Sequence, residues 1–350
     1  MSGAARDRTL RIAVTLGDPR GIGPEVAATA ARQYRDTQPH HLTFIGPRGT
    51  GAEAAADAFI DVGAWRSTAG PQDVAAAGTQ DVAAAGAQHV ATTGPEEVAA
   101  AGRLAGLAID RAVDLALEGA VDAIVTAPID KAALHAGGYD FPGHTEMLAS
   151  RCGIADVVMM MAAETTALGG PLRVVLATTH IALAQVPLAF TADLLMTQTR
   201  ITARSLRDGW HITSPHIALC AFNPHASDGG LFGDEEERIY APAIAALRAD
   251  GLRISGPVPA DTVFLRAARG EFDAVIAPYH DVGMAAFKTA AFGSGVNVTL
   301  GLPFPRTSPD HGTALDLAGR GTADPSSMLE ALHLATHLAD VRAAQPQLHT

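Results

Sequence analysis

Residues 173–180 read RVVLATTH, an apolar run that ends in turn residues and a histidine. This pattern predicts a buried strand followed by a polar turn. It returns as HIALCAFNPH at residues 216–225 and as DAVIAPYH at residues 273–280. Similar runs rich in Val and Ile bring the predicted strands to eight, at residues 11–16, 42–45, 122–126, 157–161, 173–178, 216–221, 273–277 and 296–300. Strands that alternate with Ala-rich helices predict an α/β fold, in which helices cover both faces of a mostly parallel sheet.

Three histidines follow predicted strands in the same way: His180, His225 and His280. Ligands collect at the carboxyl ends of strands in open α/β sheets, so these imidazoles are expected to converge. Three neutral imidazoles leave open coordination positions for a divalent cation, whether Zn²⁺, Co²⁺, Mn²⁺ or Mg²⁺. A single histidine is more often a hydrogen-bonded structural residue. The repeated position after a strand is what favours a metal site.

A second group of polar residues follows the predicted strand at 122–126, in the segments TAPIDKAAL and FPGHTE. Its members are Lys131, His144, Thr145 and Glu146. After a strand, such groups could bind a carboxylate, a phosphate or an amino-acid head group. A capping box at Thr145 is the alternative explanation of the threonine. It does not account for the strand-end placement, and both interpretations stay open.

Residues 279–319 form a long run, YHDVGMAAFKTAAFGSGVNVTLGLPFPRTSPDHGTALDLAG. Lys288, Asn297 and Arg306 lie among its turn residues, and the two cations offer the donors that phosphate recognition uses. Surface solvation is the alternative for each cation alone. The stretch TSPDHGTA contains too many polar turn residues for a buried core. Within it, His311 is either an acid–base group or the cap of a following helix.

The composition excludes several classes of protein. Lys and Arg number 25 against 37 Asp and Glu, a net charge of −12 without a basic cluster, which argues against nucleic-acid and anionic-membrane partners. No uncharged apolar run reaches the ~18 residues of a membrane span, and charges near the N-terminus argue against a signal peptide. We therefore expect a cytoplasmic protein. Cys152 and Cys220 lie outside any CxxC pattern, which argues against disulfides and thiolate metal sites.

The glycine-rich segment GDPRGIGPE at residues 17–25 follows the first predicted strand. Its pattern is GxxxGxG, whereas dinucleotide-binding folds carry GxGxxG. Two prolines also remove backbone N–H groups that a phosphate-binding turn would need. The sequence therefore does not locate a nucleotide-binding pocket.

An eight-residue repeat lies between residues 70 and 102, with Gly at positions 70, 78, 86, 94 and 102. A glycine at every eighth position weakens a continuous helix by ~1 kcal/mol each, so the repeat is interpreted as a surface insert that leads into a helix over residues 104–117. The distribution of strands predicts two lobes. One combines residues 1–129 with 261–350, and the other spans residues 130–260.

Taken in order, the motifs resemble those of the 4-hydroxythreonine-4-phosphate dehydrogenase family (PdxA), the NAD-dependent enzymes of pyridoxal 5′-phosphate biosynthesis. The resemblance runs from about residue 11 to residue 334 and is interrupted mainly by the repeat. It rests on the segments GDPRGIGPE, TAPIDKAAL, GHTE, ATTH, NPHASDGGLFGDEE, GPVPADT, YHD, GVN, TLGLPFPRTSPDHGTALDLAG and GRGTAD.

The resemblance implies a two-lobe α/β/α fold similar to the isocitrate and isopropylmalate dehydrogenases, in a homodimer whose subunits share the active site. It places the divalent-metal ligands on His180, His225 and His280, the last supplied by the partner chain. It places the contacts to a small phosphorylated amino-acid substrate on His144, Thr145, Lys288, Asn297 and Arg306. The implied reaction oxidises the 3-hydroxyl of 4-phosphooxy-L-threonine with NAD⁺ or NADP⁺, and CO₂ loss then gives 3-amino-2-oxopropyl phosphate.

The chain departs from the family at Val282, where Gln is common, and at Ala291 and Ser294, where Gly and a basic residue are common. Such changes beside a metal ligand leave open a sister dehydrogenase that acts on D-threonate or D-erythronate 4-phosphate or on a dihydrodiol carboxylate. The intact GHTE, GVN and PFPRTS favour the threonine phosphate. From another class, a metal-dependent hydrolase or aldolase could also use three histidines.

Overall fold

Eleven strands form one sheet in the computed structural model, which describes residues 8–66 and 94–344. The strands are β1 Arg11–Thr15, β2 His41–Arg48, β3 Ala58–Ala64, β4 Ala123–Thr126, β5 Val158–Ala163, β6 Leu172–Leu176, β7 His216–Cys220, β8 Arg253–Val258, β9 Ala274–Ala277, β10 Val296–Leu300 and β11 Arg306–Pro309. Their order across the sheet is β3-β2-β1-β4-β11-β10-β5-β6-β9-β7-β8. Every predicted strand overlaps an observed one, and β3, β8 and β11 are additional.

Ten α-helices lie in the described residues. They are α1 Gly23–Arg35, α2 Pro95–Leu117, α3 Lys131–Ala136, α4 His144–Arg151, α5 Val186–Ala189, α6 Ala192–Trp210, α7 Ala241–Ala249, α8 Ala260–Ala268, α9 His280–Ala291 and α10 Ser326–Ala344. Helices α1, α6, α7 and α10 pack into the apolar core on one face of the sheet. Helices α2 and α4, and separately α8 and α9, cover the other face. The predicted three-layer α/β/α arrangement is confirmed.

The sheet consists of two parallel blocks that run in opposite directions. Strands β3, β2, β1, β4 and β11 are parallel to one another, and so are β6, β9, β7 and β8. Between the blocks, β10 is antiparallel to β11 and β5, and β5 is antiparallel to β6. The strands that precede the three candidate metal ligands, β6, β7 and β9, therefore end at one edge of the sheet.

Strand β11 corrects the interpretation of TSPDHGTA as too polar for the core. Its four residues are all buried, and hydrogen bonds inside the protein satisfy several polar groups of β11 and of the residue after it. The Thr307 hydroxyl donates to the carbonyl of Ala331 in α10 at 2.7 Å, and the Asp310 amide donates to Ser327 Oγ at 2.9 Å. Buried polar groups that are hydrogen-bonded in this way do not oppose burial.

Helix α2 begins at Pro95, nine residues earlier than the predicted residue 104, since Pro at the first turn and two following glutamates favour a helix start. The last unit of the repeat thus belongs to a packed helix, while residues 70–93 lie outside the described residues. Gly102 faces α3, and a Cβ there would lie 1.7 Å from the Ala133 carbonyl oxygen. Glycine at this position permits a close approach of the two helices.

The predicted division into two lobes stays a prediction. Strand β9, which the prediction assigns to the lobe built from both chain ends, pairs with β6 and β7 from the middle segment. Among the described residues, no helix is long and apolar enough to cross a membrane.

We expect Gly102→Ala to destabilise the fold by about 1–3 kcal/mol, the usual cost of an overpacked contact. The cause is the collision with the backbone of α3. The matched control is Gly94→Ala in the same repeat, because a Cβ there meets nothing within 4 Å and the φ of −62° suits alanine. Urea-induced unfolding of both variants measures the difference. Equal losses of stability would contradict the packing role of Gly102.

Candidate functional site

A polar strip on β10 forms the floor of the candidate site. Val296, Val298 and Leu300 pack into the core on the side of α6 and α10. Side chains alternate along a strand, so Asn297 and Thr299 face the opposite layer. There, α2 and α4 cover the block that contains β4, while α8 and α9 cover β5 and the block that begins at β6. Strands β11 and β10 lie between the two groups of helices.

Arg306, the first residue of β11, adds a cation to this floor. It is 1% exposed, and its two terminal nitrogens donate to Thr299 Oγ1 at 2.9 Å and Thr126 Oγ1 at 2.6 Å. Its Nε is buried without a hydrogen-bond partner, and no carboxylate in the described chain forms an ion pair with it. Burial lowers the pKa of Arg306 to about 9, so the guanidinium is still charged at neutral pH. The charge of Glu146 acts against this lowering of the pKa, but no carboxylate contacts the guanidinium in the described chain, so an anionic ligand would be a suitable partner for it.

His144 begins α4 beside Arg306. Burial, followed by the charges of Arg306 and Lys131, lowers the pKa of His144 well below its usual value. The imidazole is therefore neutral at pH 7. Its Nε2 is buried and has no partner among the described residues. A neutral nitrogen without a partner can donate to or accept from a bound ligand.

Asn297 and Lys288 extend the site toward α9. Asn297 Oδ1 is buried and lacks a hydrogen-bond partner in the described ranges. Lys288 Nζ donates to the carbonyl oxygen of Asp310 at 3.1 Å and lies 2.9 Å from its carboxylate. The charge of Lys288 is thus shared with an acid of the protein, whereas Arg306 has no such counter-charge.

Lys131 begins α3, after the carboxyl end of β4, and is exposed. It packs near the GHTE segment, since a Cβ placed on Gly143 would lie 3.7 Å from Lys131 Cε. Its charge lowers the pKa of both His144 and His180. Lys131 therefore connects the substrate-type residues with the candidate metal ligands.

His180 and His280 are brought together within one chain. Their ring centroids are 5.5 Å apart, and both residues line a cavity of about 210 Å³. Burial, Lys131 and His280 lower the pKa of His180, which favours the neutral imidazole that binds metals. His280 Nδ1 lies 2.7 Å from Asp281 Oδ1. Such a carboxylate orients an imidazole and leaves its Nε2 for a ligand.

His225 lies in the turn after β7 and does not line the cavity beside His180 and His280. Within residues 8–66 and 94–344 of one chain, no three His, Cys, Asp or Glu side chains form a group that could hold a metal ion. The structure thus brings two of the three predicted ligands together. His180 and His225 share a further property, a left-handed backbone with φ of 49° and 52°.

Two interpretations that concern helix caps are wrong. Helix α4 starts at His144 after Gly143, with no side chain bonded to its first amides, so Thr145 is not part of a capping box. Thr145 is half-buried in the first turn instead. His311 does not cap a helix, because α10 starts only at Ser326. Its Nε2 is buried and has no partner in the described chain, as in His144.

The glycine-rich segment at residues 17–25 contacts the loops that follow β4 and β11. The sequence did not reveal these contacts. Asp18 is buried and forms an ion pair with Arg20 at 2.6 Å, and Arg20 lies 3.6 Å from Asp130, the cap of α3. The Ile22 amide donates to the Thr313 carbonyl at 2.9 Å. The segment therefore fixes the loops after β1, β4 and β11 against one another. The acid and base in GDPR are the only signal of this role.

A family of known proteins matches most of the chain. The family described as pyridoxal phosphate biosynthetic protein PdxA matches residues 41–335. The chain belongs to the PdxA family. A 4-hydroxythreonine-4-phosphate dehydrogenase from Aromatoleum aromaticum is 44% identical over 328 residues, which cover 93% of this chain and 95% of the relative. One from Chromobacterium violaceum is 51% identical over 215 residues, but that match covers 61% of this chain and 64% of the relative, less than two thirds of its length.

Solved structures support the same family. A 4-hydroxythreonine-4-phosphate dehydrogenase from Klebsiella pneumoniae superposes with a TM-score of 0.77 and 38% identity, over 95% of this chain and 100% of that one. A terephthalate 1,2-cis-dihydrodiol dehydrogenase from Burkholderia xenovorans gives a TM-score of 0.61 and 27% identity, over 94% and 98% of the two chains. The PdxA family is one of oxidoreductases that act on a CH–OH group, and the expected family is confirmed.

The low pKa of His144 predicts how stability depends on pH. The unfolded chain binds a proton near pH 6.5 that the folded chain does not bind, so His144 costs stability as the pH falls below 6.5, by at most about 1.4 kcal/mol per pH unit. We expect His144→Gln to lose less stability than the wild type between pH 7 and pH 5, measured by urea unfolding. The exposed His337→Gln is the control. Parallel pH curves for His144→Gln and the wild type would contradict the assignment.

Proposed function

We propose that the chain oxidises 4-phosphooxy-L-threonine with NAD⁺ or NADP⁺ in pyridoxal 5′-phosphate biosynthesis, in the cytoplasm. A hydride leaves C3 for the nicotinamide, and the hydroxyl proton is released. The resulting 2-amino-3-oxo-4-phosphooxybutanoate loses CO₂ and takes up one proton at C2, which gives 3-amino-2-oxopropyl phosphate. The observation that carries the proposal is the buried Arg306, a cation with no direct ion pair in the described chain, in a family whose named members act on a phosphorylated substrate.

Recognition of the substrate is assigned to residues that the fold leaves with free donors or acceptors. We assign the phosphate to Arg306 and Lys288, since a guanidinium and an ammonium group can both donate to a dianion. Asn297 Oδ1 and His144 Nε2, both buried without partners in the described chain, are assigned to the amino-acid part. Thr145, in the first turn of α4, completes the set.

Lys131 is exposed and has no ion pair or side-chain hydrogen bond with another described residue. Its ammonium group is therefore available to an anionic group of the substrate near His144. Because the overall charge is −12, the protein repels a dianion at long range. Binding then depends on these few cations at short range.

The residues present fit a divalent cation. His180 and His280 offer neighbouring imidazoles, one with a lowered pKa and one beside a carboxylate, and His225 is the third candidate ligand. A bound divalent cation acts as a Lewis acid that lowers the pKa of the substrate hydroxyl and polarises the ketone. The chain contributes the neutral imidazoles and their orientation by Asp281. Hydride transfer itself is the chemistry of the nicotinamide cofactor.

We propose a homodimer in which the metal site is completed across the subunit interface. The resemblance takes His280 of the metal site from the partner chain. His180 and His280 also lie together within one chain, so a ligand from the second subunit, whether His280 or His225, would complete the set at the interface. The segments that follow His180 and His225 expose large apolar side chains: Leu183 is 67% exposed, Leu188 83% and Leu231 72%. Exposed apolar surface of this kind is typical of association.

A sister dehydrogenase is the second candidate function. The structural similarity to the terephthalate dihydrodiol dehydrogenase favours it, as does Val282, which stands two residues after His280 where the family commonly has Gln. Val282 packs against the apolar cluster under α9. The higher identity to the Klebsiella pneumoniae enzyme and the intact GHTE segment favour the threonine phosphate.

A substrate panel tests the proposed function. Absorbance at 340 nm is recorded with NAD⁺, Mg²⁺ or Zn²⁺ and either 4-phosphooxy-L-threonine, D-threonate 4-phosphate or D-erythronate 4-phosphate. We expect the first to give the highest kcat/KM, with one CO₂ released for each NADH formed. Preference for either sugar-acid phosphate would establish the sister activity. Absence of NADH with all three would reject the threonine phosphate and both sugar-acid phosphates, and would leave a dihydrodiol carboxylate dehydrogenase, a hydrolase or an aldolase.

Arg306→Lys tests phosphate recognition without removing the buried charge. A charge-assisted hydrogen bond to phosphate contributes ~1.5–3 kcal/mol, so loss of the forked donor should raise KM for the phosphorylated substrate by about 10-fold or more. KM for NAD⁺ should change little, and unphosphorylated 4-hydroxythreonine should remain an equally poor substrate. The exposed Arg320→Lys is the control. Equal losses with both substrates would assign Arg306 a structural role.

A further inference from the structure

The turn that carries His225 has an unusual backbone. His225, Ala226, Ser227 and Asp228 all have positive φ, at 52°, 55°, 70° and 46°. None is glycine, and left-handed backbone is unfavourable for residues with a Cβ. Four such residues in succession persist only where the surrounding structure holds them.

A buried carboxylate, that of Glu236, accepts hydrogen bonds from the residues just before this turn. Glu236 is 8% exposed, and its Oε1 accepts the amides of Phe222 at 2.9 Å and Asn223 at 2.8 Å. Its Oε2 accepts Asn223 Nδ2 at 2.9 Å. Three donors from the two residues that precede the turn therefore converge on one side chain. No arginine, lysine or histidine forms an ion pair with Glu236 in the described chain.

Further contacts close the turn around the same carboxylate. Asn223 Nδ2 also donates to Glu235 Oε2 at 2.7 Å, and the Ser227 hydroxyl donates to the carbonyl of Gly233. The Tyr240 hydroxyl, one turn after Glu236, donates to the carbonyl of Cys220 at the end of β7 at 2.6 Å. The segment that contains Glu236 is thus bonded to the chain on both sides of His225, although it does not contact the cavity at His180.

We propose that Glu236 is a positioning residue for His225, holding the left-handed turn in the conformation that presents this imidazole to a divalent cation. The inference rests on the metal role of His225 in the proposed function. A carboxylate suits the task because all its lone pairs accept, while a glutamine would turn one oxygen into a donor that faces other donors. Groups that orient a metal ligand commonly change metal affinity by 10–100-fold.

The test is metal binding without substrate or nicotinamide. Isothermal titration of Zn²⁺ and Co²⁺ into wild type, Glu236→Gln and the matched control Glu237→Gln measures Kd, and thermal unfolding of the metal-free proteins measures stability. Glu237 is exposed on the same turn of helix. We expect Glu236→Gln to weaken metal binding by at least ~10-fold and Glu237→Gln to leave it unchanged. Amide hydrogen exchange at Phe222 and Asn223 should accelerate in Glu236→Gln alone.

A rescue variant separates positioning from general stability. Ala226→Gly lowers the cost of the left-handed backbone, so in the Glu236→Gln background it should restore part of the metal affinity. A lower Tm for Glu236→Gln with wild-type Kd, or no recovery with Ala226→Gly, would overturn the proposal. If Glu236→Gln does not fold, Asn223→Ala removes the side-chain donor and should weaken metal binding in the same direction, and an unchanged Kd there would overturn it.

The same titrations distinguish failure of the metal role of His225 from failure of the positioning role of Glu236. If the wild type binds Zn²⁺ or Co²⁺ and His225→Ala does not, the result supports the metal role of His225, on which the inference rests. If His225→Ala binds metal as the wild type does, the positioning role is overturned while NADH formation can still succeed. If the wild type itself binds neither cation, the metal requirement in the proposed function fails together with the inference.

Discussion

The candidate site is built around a buried cation, Arg306, that feels the charge of Glu146 but forms no direct ion pair in the described chain. Removal of a guanidinium from water costs several kcal/mol, and two threonine hydroxyls recover only part of it for Arg306. Those hydroxyls come from β4 and β10, the two strands that flank β11. The sheet order therefore places the guanidinium of Arg306 between the two groups of helices, next to the polar side chains of β10. An anionic ligand bound at this floor of the site would pair with the guanidinium of Arg306.

The candidate site has two parts that belong to different blocks of the sheet. Arg306 and His144 lie over β11 and next to β4, whereas His180 and His280 follow strands of the second block. Lys131 joins the parts, since its charge lowers the pKa of a histidine in each. An elongated substrate with a phosphate at one end and an oxidisable hydroxyl nearer the other fits such a division. His180 and His225 both have left-handed backbone, which is unfavourable for residues with a Cβ and is typical of functional sites.

Much of the fold could be predicted, because alternation of apolar strands and Ala-rich helices is a local signal. All eight strand predictions overlap observed strands. The histidines after β6 and β9 are adjacent within one chain, whereas His225, which was expected to converge with them, does not line their cavity. Strand β11 was missed, since its burial depends on partners such as Ala331, 24 residues away along the chain. The early start of α2 has a local signal in Pro95 and the two glutamates after it, but the glycine at position 102 argues against a helix through it. Gly102 weakens a helix locally, but its contact with α3 requires the absence of a side chain.

The most direct test of the account is a crystal structure with Zn²⁺ and 4-phosphooxy-L-threonine bound, in which anomalous scattering locates the zinc. We predict zinc at about 2.0–2.1 Å from a ring nitrogen of both His180 and His280. The phosphate of the same substrate molecule should contact the guanidinium of Arg306. Zinc bound elsewhere, or a phosphate that does not approach Arg306, would contradict the claim that these residues form one site.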